Sequence, residues 1–389
     1  MTGDPGLSVA PCSIRVDDDV LADLRARIRN TRWPDPAPGP AWSQGTDLDY
    51  LRALLDYWAE GYDWRAAERR LNAYPQFMAD IGDARVHFVH QRAAGGGGVP
   101  LILTHGWPST YAELLPLVPL LTDPAAHGID GPAFDMVVPS LPGYGFSPRP
   151  AHTGVNYRYV AALWHRLMRG LGYERYGAVG GDFGAGVTTY MALDDPAPML
   201  GIYLYTPEID PYFGPDSPPL TEAELTFLQQ KRRWTDTERG YGQIQSTKPQ
   251  TVGYGLNDSP AGLAAWVLEK WRSWADTGGD LDRRFSRDDL LTTVTIYWVS
   301  GSITSSMRDY FDNRWHGEPI GPSDRVRVPT GVAAFANHFV DEGNPPREWF
   351  ERLYDVRRWS PMPRGGHFGP AEEPDLLARD IAAFFAAPS

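Results

Sequence analysis

The residues best placed to do covalent chemistry lie in GGDFGAG, where Asp182 stands among small residues, after the apolar run AVG and ahead of a helical pattern. This is the G-x-nucleophile-x-G pattern, a tight strand-to-helix turn that lifts one side chain above a sheet. Small neighbours are needed because that backbone is strained. The nucleophile slot holds a carboxylate rather than serine, and this decides the chemistry. A carboxylate attacking an acyl carbon gives a labile anhydride, whereas attack on an alkyl carbon gives a stable ester. The expected substrate therefore carries an electrophilic sp3 carbon, as in an epoxide or an alkyl halide. Taken alone, Asp182 would read as a helix N-cap.

Two further segments change that reading. HGWPST, at 105–110, follows the strand-like PLILT. The N–H groups of Trp107 and Phe183 are then candidates for an oxyanion hole that stabilises a tetrahedral intermediate during ester hydrolysis. His367, in PRGGHFGP just before the closing helix, follows the nucleophile in the chain order expected for a base of this kind. In isolation the first segment is an ordinary turn and the second a loop histidine beside glycines. Together with the elbow they form a nucleophile, a base and an electrostatic cradle.

The elements that must position these groups follow from periodicity. SIRV alternates as a short strand, and Val20, Leu21, Leu24 and Ile28 then recur at helical spacing. LDYLRALLDYWAEGY and DWRAAERRLNAY predict two more helices. RVHFVHQ alternates and PLILTHGWP is a continuous apolar run. The glycines between them could form an interdomain linker, but the flanking strands favour a hairpin loop. FDMVVPSLPGYG, YRYVAALWHRLMRGLGY, YGAVGGDFGAGVTTYMAL and GIYLYTPE continue as alternating strands and helices, which predicts a mostly parallel sheet with helices on both faces. The alternation stops after Glu208, and 210–312 reads as a helical insertion. Within it, Asp258 or Ser259 caps a helix that opens with Pro260. RVRVPTGVAAFAN resumes the strand pattern, and PDLLARDIAAFF is the final helix.

With 389 residues the chain exceeds one ordinary domain, so a large core with an insertion is expected. The net charge of -13 disfavours nucleic acid and anionic membranes as partners, and a small neutral molecule fits better. Cys12 is the single cysteine, which excludes an intrachain disulfide and a thiolate cluster and suits a cytoplasmic location. There is no signal-peptide pattern and no run of about 18 apolar residues. The histidines lack metal-ligand spacing, and the glycine motif carries an acidic residue where a phosphate would sit, so neither metal nor cofactor is expected. A homodimer is the one self-association allowed for.

The sequence resembles the microsomal-type epoxide hydrolases of the α/β-hydrolase fold. The likeness runs from IRNTRWPD and LNAYPQFMADIGDARVHFVH through HGWPST, GGDFG, GYGQIQSTKPQTVGYGLNDSPAGLAAWVLEKW, YWVSGSITSSMRDY and VPTGVAAF to PRGGHF. It is also similar to a soluble actinobacterial branch, part of which serves natural-product pathways. The resemblance implies an N-terminal extension over 1–95, a core in two parts at 96–209 and 313–389, and a helical lid at 210–312. It implies that Asp182 is the nucleophile and His367 the general base. Tyr241 and Tyr310 match the two lid tyrosines that donate hydrogen bonds to the epoxide oxygen. Opening a strained ether near neutral pH does require a neutral donor, and phenols, with pKa values of about 10, remain protonated.

The pattern is broken at one point. The carboxylate that should orient His367, shortly after VPTGVAAF, is replaced in an ungapped match by His338, which cannot hold a negative charge. The following loop, FANHFVDEGNPPREW, is longer than expected, so Glu342 is the favoured acid, with Glu208 and Asp341 as competitors. Two rival functions fit the sequence less well. A haloalkane dehalogenase shares the Asp nucleophile, but Phe183 offers no side-chain N–H to a leaving halide. A non-catalytic binding member of the fold has no need of a nucleophile and a base together. Trp234, Trp266, Trp271 and Trp274 invite an aromatic-substrate reading, but their helical spacing makes them core residues more often than pocket walls.

Overall fold

A computed structural model describes residues 7–207 and 209–386 of the chain. Its nine strands are β1 (Leu7–Cys12), β2 (Gln76–Ile81), β3 (Ala84–Gln91), β4 (Val99–Thr104), β5 (Phe134–Pro139), β6 (Tyr176–Gly181), β7 (Met199–Thr206), β8 (Val326–Ala334) and β9 (Tyr354–Pro361). They form one sheet in the order β1-β2-β3-β5-β4-β6-β7-β8-β9. From β5 to β9 all neighbours are parallel, while β1, β2, β3 and β5 pair antiparallel. Every residue of β5 and β6 is buried, because helices cover both faces of the parallel part. The expected α/β-hydrolase architecture is therefore present.

Two strand expectations need correction. SIRV is not a strand: β1 lies just before it, and the Ile14 and Val16 backbones are satisfied by side chains instead of a ladder. The Ile14 N–H donates to Asn72 Oδ1 at 2.8 Å and the Val16 N–H to Glu68 Oε1 at 2.7 Å. The glycine run is not a hairpin loop either. β5 lies between β3 and β4, so the two strands flanking the glycines never pair. The run instead crosses the end of β5, and a Cβ on Gly98 would come within 2.7 Å of the Asp135 backbone nitrogen. β2 and the edge strand β9 lie outside the strands expected from the sequence; YDVRRWSP carries two arginines and lacks a clean apolar alternation.

Between β7 and β8 the helices Glu222–Thr237, Gly240–Thr247, Pro249–Asp258, Pro260–Trp274, Arg287–Ser300 and Ile303–His316 make up the helical insertion. The helix Pro260–Trp274 is capped as expected, the Ser259 hydroxyl accepting from the Gly262 N–H at 3.0 Å. The insertion is tied to the loop after β4: the Trp271 indole donates to the Pro108 carbonyl at 3.2 Å and the Tyr297 hydroxyl to that of Ser109 at 2.7 Å. The N-terminal helices grip it from behind, with Trp58 Nε1 donating to Thr295 Oγ1 at 2.9 Å. Among the described residues no helix is long and apolar enough to cross a membrane.

Candidate active site

The carboxyl ends of β4, β6, β8 and β9 lie at one edge of the parallel sheet, where open α/β sheets bind ligands. Asp182 follows β6 at φ 53° and ψ -128°, a conformation few non-glycine residues adopt, and it begins the helix Phe183–Asp194. Its amide is held by the Thr206 carbonyl at 2.6 Å and hydroxyl at 2.9 Å. The turn is crowded: a Cβ on Gly106 would lie 2.2 Å from Asp182 Oδ1, and one on Gly184 would lie 2.0 Å from the Thr104 carbonyl oxygen. Only glycine lets the loop after β4 and the first turn of the helix approach so closely.

The two carboxylate oxygens of Asp182 face different partners. Oδ1 accepts the Trp107 N–H at 2.8 Å and the Phe183 N–H at 2.7 Å, the pair expected to form an oxyanion hole. Oδ2 lies 3.5 Å from His367 Nε2. Both side chains are largely buried, Asp182 and His367 each being 7% exposed. The N-cap and nucleophile readings of Asp182 thus coexist, since the same Oδ1 that caps the helix occupies the donor pair.

The segment carrying His367, between β9 and the last helices, is fixed from two sides. The His367 N–H donates to the Trp274 carbonyl at 2.9 Å. The Glu372 carboxylate spans the histidine, accepting from Gly366 N–H and Phe368 N–H at 3.0 Å each, and also from Asp276 N–H at 2.8 Å. Burial pushes the Glu372 carboxyl above its usual range, and the three N–H groups with Arg284 oppose that shift. Sequence reasoning passed over Glu372; in PAEEPDLL it looks like an acidic first turn of the final helix.

Tyr241 and Tyr310 come from two different helices of the insertion and meet at 5.9 Å between ring centroids, nearly perpendicular. Trp107 buttresses both, stacked on Tyr241 at 5.4 Å and edge-on to Tyr310 at 5.7 Å. Phe183 packs against Tyr310 at 4.7 Å. A cavity of about 570 Å³ is lined by Asp182, His367, Tyr241, Tyr310 and Phe183, together with Trp234 and Trp274. The Trp107 indole is fully buried behind it, so Trp107 presents its backbone N–H to the site. Trp266 and Trp271 are absent from this wall; their indoles bond to Gln245 and Pro108.

The carboxylates considered for His367 have different settings. Glu342 lines the cavity, but Oε1 pairs with His338 Nδ1 at 3.0 Å. Burial works to raise the Glu342 carboxyl, and the facing His338 and His367 outweigh it, so it is held below its usual range. Asp341 accepts from the Gly343 N–H at 2.9 Å and is not among the residues that line the cavity. Glu208 lies outside the described residues.

Comparison with known proteins points to one family. Residues 9–114 match the family described as epoxide hydrolase N terminus, and residues 99–294 match the alpha/beta hydrolase fold. The chain is 37% identical to epoxide hydrolase 1 of Sus scrofa, over 97% of this chain and 88% of that protein. It is 34% identical to juvenile hormone epoxide hydrolase 2 of Ctenocephalides felis, over 96% and 84% of the two chains. The crystal structure of juvenile hormone epoxide hydrolase from Bombyx mori superposes with a TM-score of 0.85 at 30% identity, covering 98% of this chain and 94% of that one. With an aspartate at the elbow, a histidine facing it and these relatives along nearly its whole length, the chain belongs to the epoxide hydrolase family of the α/β-hydrolase fold.

Proposed function

We propose that the protein converts an epoxide and water to a vicinal diol through an alkyl ester formed on Asp182. The observation that carries this reading is the division of labour at the carboxylate: two backbone N–H groups hold Oδ1, and Oδ2 is left beside His367. In the first step Oδ2 attacks a ring carbon, the carbon–oxygen bond of the epoxide breaks, and the alkoxide takes a proton from Tyr241 or Tyr310. Two phenols stabilise the developing charge better than water because they are already oriented. In the second step His367 Nε2 removes a proton from water, and the hydroxide adds to Cγ of Asp182. The negative charge then develops on Oδ1, between the Trp107 and Phe183 N–H groups. Collapse breaks the bond from Cγ to Oδ2, the departing alkoxide takes the proton of the new Asp182 carboxyl group, and the diol leaves with that oxygen. The proton on His367 returns to the tyrosinate, by way of solvent, so that carboxylate, neutral imidazole and phenol are restored.

The oxygen bookkeeping supplies the test. One turnover in heavy-oxygen water should put the label in the peptide containing Asp182 and none in the first diol. Label appearing directly in the diol would overturn the covalent route.

Two carboxylates compete to support His367. Glu342 lies close enough to interact with it electrostatically, and Glu208 follows β7, next to the elbow strand β6. Single-turnover ester hydrolysis in Glu342→Gln and Glu208→Gln decides between them, because the supporting acid stabilises the imidazolium and its loss slows this step selectively.

A further inference from the structure

His338 occupies the position where a carboxylate was expected, yet it is not an idle replacement. It lies just past β8 and lines the same cavity as Asp182 and His367. Its side chain is only 6% exposed. One ring nitrogen, Nδ1, meets Glu342 Oε1 at 3.0 Å; the other, Nε2, is buried and has no hydrogen-bond partner among the described residues.

Its backbone is clamped on both sides. The Asn337 N–H donates to the Gly365 carbonyl at 3.4 Å, Phe339 N–H to Ala275 at 3.1 Å, and Val340 N–H to Ser273 at 2.8 Å. The imidazole is thus held by the end of the helix Pro260–Trp274 and by the segment that carries His367. Leaving a buried polar atom unmatched is costly, so such an atom beside a cavity is a place for a ligand group to complete.

Nδ1 is committed to Glu342, so Nε2 is the ring nitrogen left for a ligand. A hydroxyl group both donates and accepts, and it therefore matches an imidazole nitrogen in either role.

We propose that His338, oriented by Glu342, shares a hydrogen bond through Nε2 with a hydroxyl group carried by the epoxide substrate, and so selects hydroxylated epoxides over alkyl ones. This rests on the epoxide reading above and adds the substrate class. His338 keeps this role whichever carboxylate serves His367.

The test compares kcat/KM for a homologous series of epoxides ending in hydroxyl with the same series ending in methyl, in the wild type and in His338→Phe. The expected result is a preference of about tenfold or more for the best-fitting hydroxyl compound over its methyl counterpart, falling to near unity in the variant. The wild-type comparison stands without any substitution, so a folding defect in His338→Phe does not remove the test. Absence of a hydroxyl preference in the wild type overturns the proposal, as does a preference that survives the substitution. Selectivity for a carboxylate-bearing epoxide in place of the hydroxyl one overturns it as well. Failure of the wild type to hydrolyse either series, or a simple aryl epoxide, refutes the underlying epoxide reading, which the other outcomes leave intact.

Discussion

The Trp274 carbonyl accepts the His367 N–H at 2.9 Å, and the Trp274 indole lies 4.9 Å from the His367 imidazole between ring centroids. The last residue of a helix in the insertion therefore sets both the backbone position and one face of the proposed base. The same indole lies 5.3 Å from the Tyr241 ring, so a single side chain touches the proposed base and one of the proposed proton donors. Movement of that helix would displace both together, which makes the geometry of the insertion a determinant of each chemical step.

Removing the base should separate the two steps. His367→Gln is expected to keep its reaction with epoxide and to slow ester hydrolysis by about 10²–10⁴-fold, the usual contribution of a positioned base. Intact-protein mass spectrometry should show a stable adduct of substrate mass, and Asp182→Ala should show none. An Asp182→Ala enzyme that still forms diol would rule out the nucleophile assignment.

Glu372 is not among the residues that line the cavity, yet it holds the N–H groups on either side of His367. Glu372→Ala should loosen the loop and slow ester hydrolysis by about tenfold to a hundredfold, with a smaller effect on adduct formation. Rapid-quench measurement of the two rates checks this, and Glu372→Gln, which keeps an acceptor oxygen, should recover part of the loss. Equal slowing of both steps would show a general structural role only.

In the proposed route the tyrosines act before the ester exists. Tyr241→Phe and Tyr310→Phe should each reduce the adduct-forming rate by about 10–10²-fold while leaving hydrolysis of a preformed ester nearly untouched. The double variant should lose more than either single one, because each phenol can serve alone. Stopped-flow quenching of the nearby tryptophans on substrate addition gives the rate.

Glu113 carries a stability signature in its burial. Burial raises its carboxyl from 4.5 to about 7, with neighbouring Asp182 and Glu372 adding to the rise and Ser109 and His367 opposing it. Between these values the folded protein holds a proton that the unfolded chain releases, so this group's contribution to stability falls as pH rises from about 4.5 to 7 and is flat above. The loss is on the order of 3 kcal/mol. Glu113→Gln should remove this slope, gaining stability relative to wild type at pH 8 but not at pH 4. Urea denaturation at the two values measures it, and parallel curves for the two proteins would contradict it.

The sequence alone determined whatever consecutive residues encode. Small residues around Asp182 specify the elbow, the apolar runs of β4, β5 and β6 specify a sheet covered on both faces, and Ser259 followed by Pro260 specifies a helix start. These are short-range effects of sterics, capping and periodicity, so they can be read without knowing what lies opposite.

Only the tertiary structure decided which distant groups meet. β5 inserts between β3 and β4, which turned an apparent hairpin into a crossing. Glu372 reaches back to the two amides flanking His367, and Glu342 faces His338 across a loop whose shape depends on Ser273, Ala275 and Gly365. Each of these relationships joins groups through the order of the strands and the docking of the helical insertion, and a carboxylate's partner is set by where those elements end in space rather than by its neighbours in the chain.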